Sequence, residues 1–154
     1  MRKLSVLLLI VIALLSACSS KEFDKEVKSA TAAIEDKNFE AASIHLSKAK
    51  ELKPKETEIT ELLDIVQTII DSQSAMEKGE FEAAIFLVEK ALKYDSNKMN
   101  KMALNFADAL KSELERLKQQ NAQVNNTLST AKILMEQKKY DEAIAILQSV
   151  DTSE

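Results

Sequence analysis

A short phrase that occurs three times constrains this chain more than any other feature of its sequence. It is clearest at Met76–Ala84, and related copies stand at Ile34–Ala42 and at Met135–Ala143. Each copy ends one apolar stretch of helical spacing, passes through polar residues, and starts another stretch on an aromatic residue followed by alanine. Internal repeats of this kind predict helical hairpins stacked side by side.

The three copies stay in register well beyond the phrase when they are aligned on Phe39, Phe81 and Tyr140. A small residue stands nine positions before the aromatic and an alanine three positions after it. Large apolar residues fill further positions at offsets of three and four, which places them on one face of a helix. In copy order, the aligned sets are Val27, Ile69, Leu128; Ala30, Ser72, Ala131; Ile34, Met76, Met135; Ala42, Ala84, Ala143; and Leu46, Val88, Leu147.

Composition supports an all-α fold. The chain has one Gly and one Pro, and 45% of its residues are hydrophobic and 30% charged. Helical spacing is found throughout, and strand-like alternation is missing. Helix-boundary residues at Lys53-Pro54 and at Asp95-Ser96-Asn97 divide the copies. We therefore expect three hairpins, at about 22–53, 55–95 and 98–151.

This pattern resembles the tetratricopeptide repeat, most closely at Gly79–Ile85 and Lys90–Leu92, and Pro54 stands at a closing proline position. The resemblance implies a groove lined by the first helices, which would bind a protein or peptide. The implied groove residues are Thr31, Gln73, Lys132 and Glu35, Glu77, Glu136. The three glutamates would favour a basic or amide-rich peptide, although a solvated helix end explains them equally well.

The spacing of the copies departs from that family. The aromatics are farther apart than its period of about 34 residues, so we expect longer first helices in copies two and three. The second copy's first helix should run about from Glu56 to Lys78. In the third copy the apolar phase continues through the polar stretch Gln119–Asn126, which predicts one helix of about 40 residues with Asn121 in its seam. A break near Asn125 is the alternative.

The N-terminus has the layout of an export signal. Arg2 and Lys3 precede the short apolar run Leu4–Leu15, and Leu15–Cys18 resembles the lipobox of bacterial lipoproteins. The resemblance implies acylation of Cys18, cleavage before it, and attachment to the bacterial cell membrane or outer membrane, facing outside the cytoplasm. We expect a signal peptide at 1–17, a lipidated tether at 18–21 and a repeat domain at 22–154. An ordinary secretory signal with an incidental cysteine is the alternative.

The residues of enzymatic chemistry are scarce. Cys18 is the only cysteine, His45 the only histidine and Gly79 the only glycine, so phosphate-binding glycine motifs and zinc-type ligand pairs are missing. We expect no catalytic site, no metal and no cofactor beyond the covalent lipid on Cys18. The net charge of −4 argues against nucleic acid as a partner.

Two functions fit these features. The chain is either a membrane-anchored, non-catalytic adaptor that binds a protein or peptide in the groove, or a structural coiled-coil spacer that self-associates through its long third hairpin. Ile144 and Ile146 have no obvious cover in the last helix, and exposed apolar residues of this kind mark interaction sites. They form a second candidate partner-binding site, for another copy or another protein.

The lipobox generates a direct prediction. Cys18→Ser should abolish retention of the protein in the membrane fraction, because the acyl chains are its expected anchor. Cell fractionation and immunoblotting measure this. A variant retained at the wild-type level would contradict acylation as the anchor.

Overall fold

The computed structural model describes residues 20–150, and this part of the chain is all-α, as predicted. The predicted signal peptide, Cys18 and Ser19 lie outside the described residues. Ser20 and Lys21, which were expected in the tether, belong to the first helix. The helices are α1 (20–35), α2 (Phe39–Leu52), α3 (Thr57–Glu77), α4 (Phe81–Ala91), α5 (Lys101–Glu136) and α6 (Tyr140–Gln148).

The chain forms two compact units that divide within α5, between Lys111 and Ser112. The first unit contains α1 to α4 and the beginning of α5. The second contains the remainder of α5 together with α6. The repeat domain expected over 22–154 stays a prediction.

Both predictions of long first helices are confirmed. Helix α3 begins and ends within one residue of the predicted bounds. Helix α5 is continuous over 36 residues, and it does not break near Asn125. The side-chain amide of Asn125 instead donates a hydrogen bond to Oδ1 of Asn121, one turn earlier, at 2.6 Å.

The three hairpins share one turn. The residue two positions before each aromatic has a left-handed backbone, with φ of 57° at Lys37, 74° at Gly79 and 63° at Lys138. In all three, the next N–H donates to the carbonyl five residues earlier, at 2.8 to 2.9 Å. This is the hydrogen bond of a Schellman cap, which ends a helix and reverses the chain. The repeated phrase therefore encodes a repeated turn.

The small residues aligned between the three hairpins are buried in all of them. The aligned small residues before and after the turn are all 2% exposed or less: Ala30, Ser72, Ala131, Ala42, Ala84 and Ala143. In the second hairpin, Ser72 Oγ donates to the carbonyl oxygen of Ala84 at 2.9 Å. The predicted close approach of the two helices is confirmed there.

The core of the first unit lies around α3, which packs against both α2 and α4. The largest fully buried side chains of this core include Phe39, Leu46, Ile59, Leu62, Ile65 and Ile69. The ring of Phe39 lies 4.5 Å from the ring of Phe106 in α5, centroid to centroid. Hairpins in an open repeat stack contact only their neighbours, so this contact between the first hairpin and α5 makes the first unit more closed than such a stack.

Two asparagines fix the beginning of α5. Oδ1 of Asn97 accepts hydrogen bonds from the backbone N–H groups of Met99 and Asn100, at 2.8 and 2.9 Å. Oδ1 of Asn100 accepts in return from the N–H of Asn97 at 2.8 Å. Such reciprocal capping satisfies donors that a helix start leaves free. The boundary predicted near Asn97 therefore has a specific cause.

The shared turn generates a pair of opposed predictions. Gly79→Ala should lower the free energy of unfolding by about 1 kcal/mol, because a side chain is disfavoured at positive φ. Steric clash is not the cause, since nothing lies within 4 Å of the added Cβ. Lys138→Gly should raise the free energy of unfolding by a few tenths to about 1 kcal/mol. Urea unfolding measures both changes, and an unchanged midpoint for Gly79→Ala would contradict the assignment of the turn.

Candidate protein-binding surface

The structure places two of the six predicted groove residues together. Gln73 and Glu77, near the end of α3, line a small notch with Lys37 and Glu40 from the adjoining turn and the start of α2. Ile70, Ser74 and Met76 complete its lining. The notch has acidic, basic and amide groups at its edge, so it can form hydrogen bonds with a polar chain segment.

The other four predicted groove residues are not among those that line this notch. Thr31 is half-buried and its hydroxyl donates to the carbonyl of Val27 at 3.0 Å. Glu35 is exposed at the end of α1. Lys132 and Glu136 are exposed in the second unit. The six residues share repeat positions, and the groove they would form together stays a prediction.

His45 joins α1 to α2. Its Nδ1 lies 2.6 Å from Oε2 of Glu26, and both side chains are half-buried. The hydrogen bond from His45 lowers the pKa of the Glu26 carboxyl from its ordinary value of 4.5. The sequence analysis did not anticipate this pair, because the two residues are distant in sequence and meet only once α1 and α2 pack.

Exposed apolar surface is concentrated in the third hairpin. Ten large hydrophobic residues of the described chain are exposed, and seven of them lie between Val124 and Leu147. Those seven are Val124, Leu128, Ile133, Met135, Tyr140, Ile144 and Leu147. Large exposed apolar patches often mark interaction sites, so the third hairpin is the candidate binding surface.

Six of these residues form two stripes that face the same side of the hairpin. Leu128 and Met135 lie about 40 to 60° around α5 from Ala131, and Tyr140 and Leu147 lie about as far around α6 from Ala143. The two helices are antiparallel, so these equal rotations turn both stripes to one side. We call this surface the open flank. It consists of Val124, Leu128, Met135, Tyr140, Ile144 and Leu147.

Ile144 and Ile146, which the sequence analysis grouped into one patch, lie on different sides of α6. Ile144 is 53% exposed on the open flank. Ile146 is half-buried and lines a groove on the opposite side, with polar residues of α5 that include Gln123 and Thr130. Residues two apart on a helix point about 200° apart, which accounts for the separation.

In the first two hairpins the positions equivalent to the open flank are buried or half-buried. Phe39 and Leu46, equivalent to Tyr140 and Leu147, are 1% and 0% exposed, and their helix α2 packs against α3. Helix α4 has α3 on one side and contacts α5 through Glu89 and Lys111, whose carboxylate oxygen and ammonium nitrogen lie 2.9 Å apart. Within the second unit, α6 has α5 alone as its helical neighbour. The open flank thus corresponds to the surface on which α3 packs in the first hairpin.

Comparison of the chain with protein-family profiles, with characterised proteins and with solved structures finds no match. Among residues 20–150, no helix has the length and apolar character needed to cross a membrane. In the same range, no group of three or more His, Cys, Asp or Glu side chains is arranged to hold a metal ion.

The Glu26–His45 pair generates a pH prediction. The pKa of Glu26 is lower in the folded chain than in the unfolded chain, so its contribution to stability is complete above pH 4.5 and is lost as the pH falls through the lower folded value. Glu26→Gln should therefore lower Tm at pH 7, and the deficit should shrink in acid. Glu22→Gln, at an exposed position of the same helix, is the matched control. A deficit that stays constant down to pH 3 would show that the pair does not stabilise the fold in this way.

Proposed function

We propose that this chain is a membrane-anchored, extracytoplasmic lipoprotein that acts as a non-catalytic adaptor and binds a helical segment of a protein on its open flank. The observation that carries the proposal is the exposure of that flank. Tyr140 and Ile144 are 57% and 53% exposed, whereas Phe39, which holds the same repeat position as Tyr140, is buried. Desolvating such surface is the main favourable term in protein association.

The first two hairpins indicate what kind of segment fits the flank. The helix that packs against α2 is α3, whose buried apolar residues follow helical spacing at Ile59, Leu62, Val66 and Ile69. The first part of α5 has the same character, with Ala103, Leu104, Ala107 and Leu110 buried. A helix with apolar residues at such spacing can place them between α5 and α6, as in other helix-in-groove complexes.

The anchor in this proposal is the lipid on Cys18, supported by the charged start, apolar run and lipobox-like exit of the sequence. The non-catalytic role is supported by the environment of His45. Its Nδ1 lies within hydrogen-bond distance of Glu26, and that contact joins two helices, which gives this histidine a structural role.

The open flank is a better candidate for the binding surface than the groove implied by the family resemblance. The notch at Gln73 and Glu77 is small and polar, and it offers a partner little apolar area. Buried apolar and aromatic residues contribute most of the free energy of binding at protein interfaces. The flank offers six such residues, including Tyr140.

Site-specific photo-crosslinking in cells tests this proposal. A photoreactive aromatic amino acid at Ile144 of the full chain should give a covalent protein adduct, because the flank is expected to be covered in its native setting. The same amino acid at Ile44, which is 58% exposed on α2 and not part of the flank, is the matched control. Adducts at position 144 no more abundant than at position 44 would show that the flank binds no protein.

A further inference from the structure

We infer that the polypeptide that covers the open flank is a second copy of this chain, which presents its own open flank. This inference rests on the proposed function, and it names the occupant of the same surface. Two third hairpins would then pack face to face, so that each α5–α6 pair supplies the helices that the other lacks. The product is a four-helix arrangement around a two-fold axis.

The distribution of exposed apolar residues supports a second copy. Outside the segment 124–147, the large exposed hydrophobic residues of the described chain are Ile44, Phe86 and Met102. They stand on three different helices, α2, α4 and α5, and form no stripe along any one of them. Among the described surfaces of one copy, only its open flank has an apolar stripe long enough to pair with the open flank of another copy.

The first helix of the described chain has a charged face, which disfavours head-to-tail association. The face of α1 that carries Lys21, Lys25 and Lys28 is exposed, and Asp24 lies beside it. Packing these groups on the apolar flank would remove their charges from water without partners, at a high cost. Association of flank with flank avoids this cost, and an isologous contact of that kind closes after two copies.

The spacing of residues along α5 supports a helical neighbour that runs beside it. Leu117, Asn121, Val124, Leu128, Ala131 and Met135 follow one another at intervals of four and three. This is the spacing of a coiled-coil seam, in which a single asparagine specifies register and the number of strands. Asn121 is exposed in the single chain, and a second copy would present a hydrogen-bonding partner of the same kind.

Charges at the edges of the flank are complementary under two-fold pairing. Lys132 follows the α5 stripe at its outer edge, and Asp141 lies beyond the α6 stripe; both are exposed. In this arrangement α5 of one copy lies against α6 of its partner. Lys132 of each copy is then at the same edge of the interface as Asp141 of the partner copy. Opposite charges at the rim favour the correct register of an interface.

Co-capture of two differently tagged full-length copies from detergent-solubilised membranes tests the inference. The wild-type copies should capture each other. Ile144→Lys and Leu128→Lys should each reduce co-capture at least tenfold when introduced in both copies, because each places a charge in the contact. Ile44→Lys introduces the same charge at a similarly exposed position of α2 and should leave co-capture unchanged. Circular dichroism of each purified variant confirms that its helices are retained.

The outcomes separate this inference from the proposed function. Loss of co-capture in the flank variants alone supports the second copy as the occupant. No co-capture of wild-type copies, with crosslinks from position 144 to a protein of another mass, would overturn the inference and leave the adaptor proposal standing. No co-capture and no crosslinks would overturn both. Co-capture that survives Ile144→Lys and Leu128→Lys would show that the copies associate through another surface.

Discussion

The apolar face of the second helix of each hairpin is wider than its hairpin partner can cover. Small residues at the contact, such as Ser72 against Ala84, bring the two helices of a hairpin together. The remainder of the apolar face must be covered by a helix from outside the hairpin, or remain in water. The packing of α2, α4 and α6 follows from this requirement.

In the first unit, helices of the same chain supply this cover. Helix α2 receives cover from α3, and Phe39 at its start also packs on Phe106 of α5. The second unit contains the same turn, with Lys138 in the place of Gly79, and the same buried alanines, but its flank remains exposed. Because the local structure is the same, the difference between α2 and α6 lies in what surrounds them. The third hairpin is therefore the candidate site of association.

The sequence predicted much of the local structure, because local structure depends on short-range periodicity. The ends of α3 and the continuity of α5 could be predicted from apolar spacing. The contact between Phe39 and Phe106 could not, because it depends on how distant helices pack. The pairing of Glu26 with His45 was missed for the same reason. In contrast, the separation of Ile144 from Ile146 was within reach of the sequence, since residues two apart on a helix cannot share one side.

The groove residues implied by the sequence came from equivalent repeat positions. Gln73 and Glu77 lie together in a described notch, and the groove as a whole stays a prediction. The open flank emerged instead from a comparison of exposure at equivalent positions, which requires the structure. Tyr140 and Phe39 illustrate this, since similar residues in the same repeat position differ from 57% to 1% exposed.

Amide hydrogen exchange measured at several protein concentrations tests the central claim most directly, because it reports whether α6 gains cover when copies meet. The backbone amides of α6 should exchange more slowly as the concentration rises, whereas those of α4 should be protected equally at every concentration. Protection of α6 that is independent of concentration, with α4 protected as expected, would contradict the account.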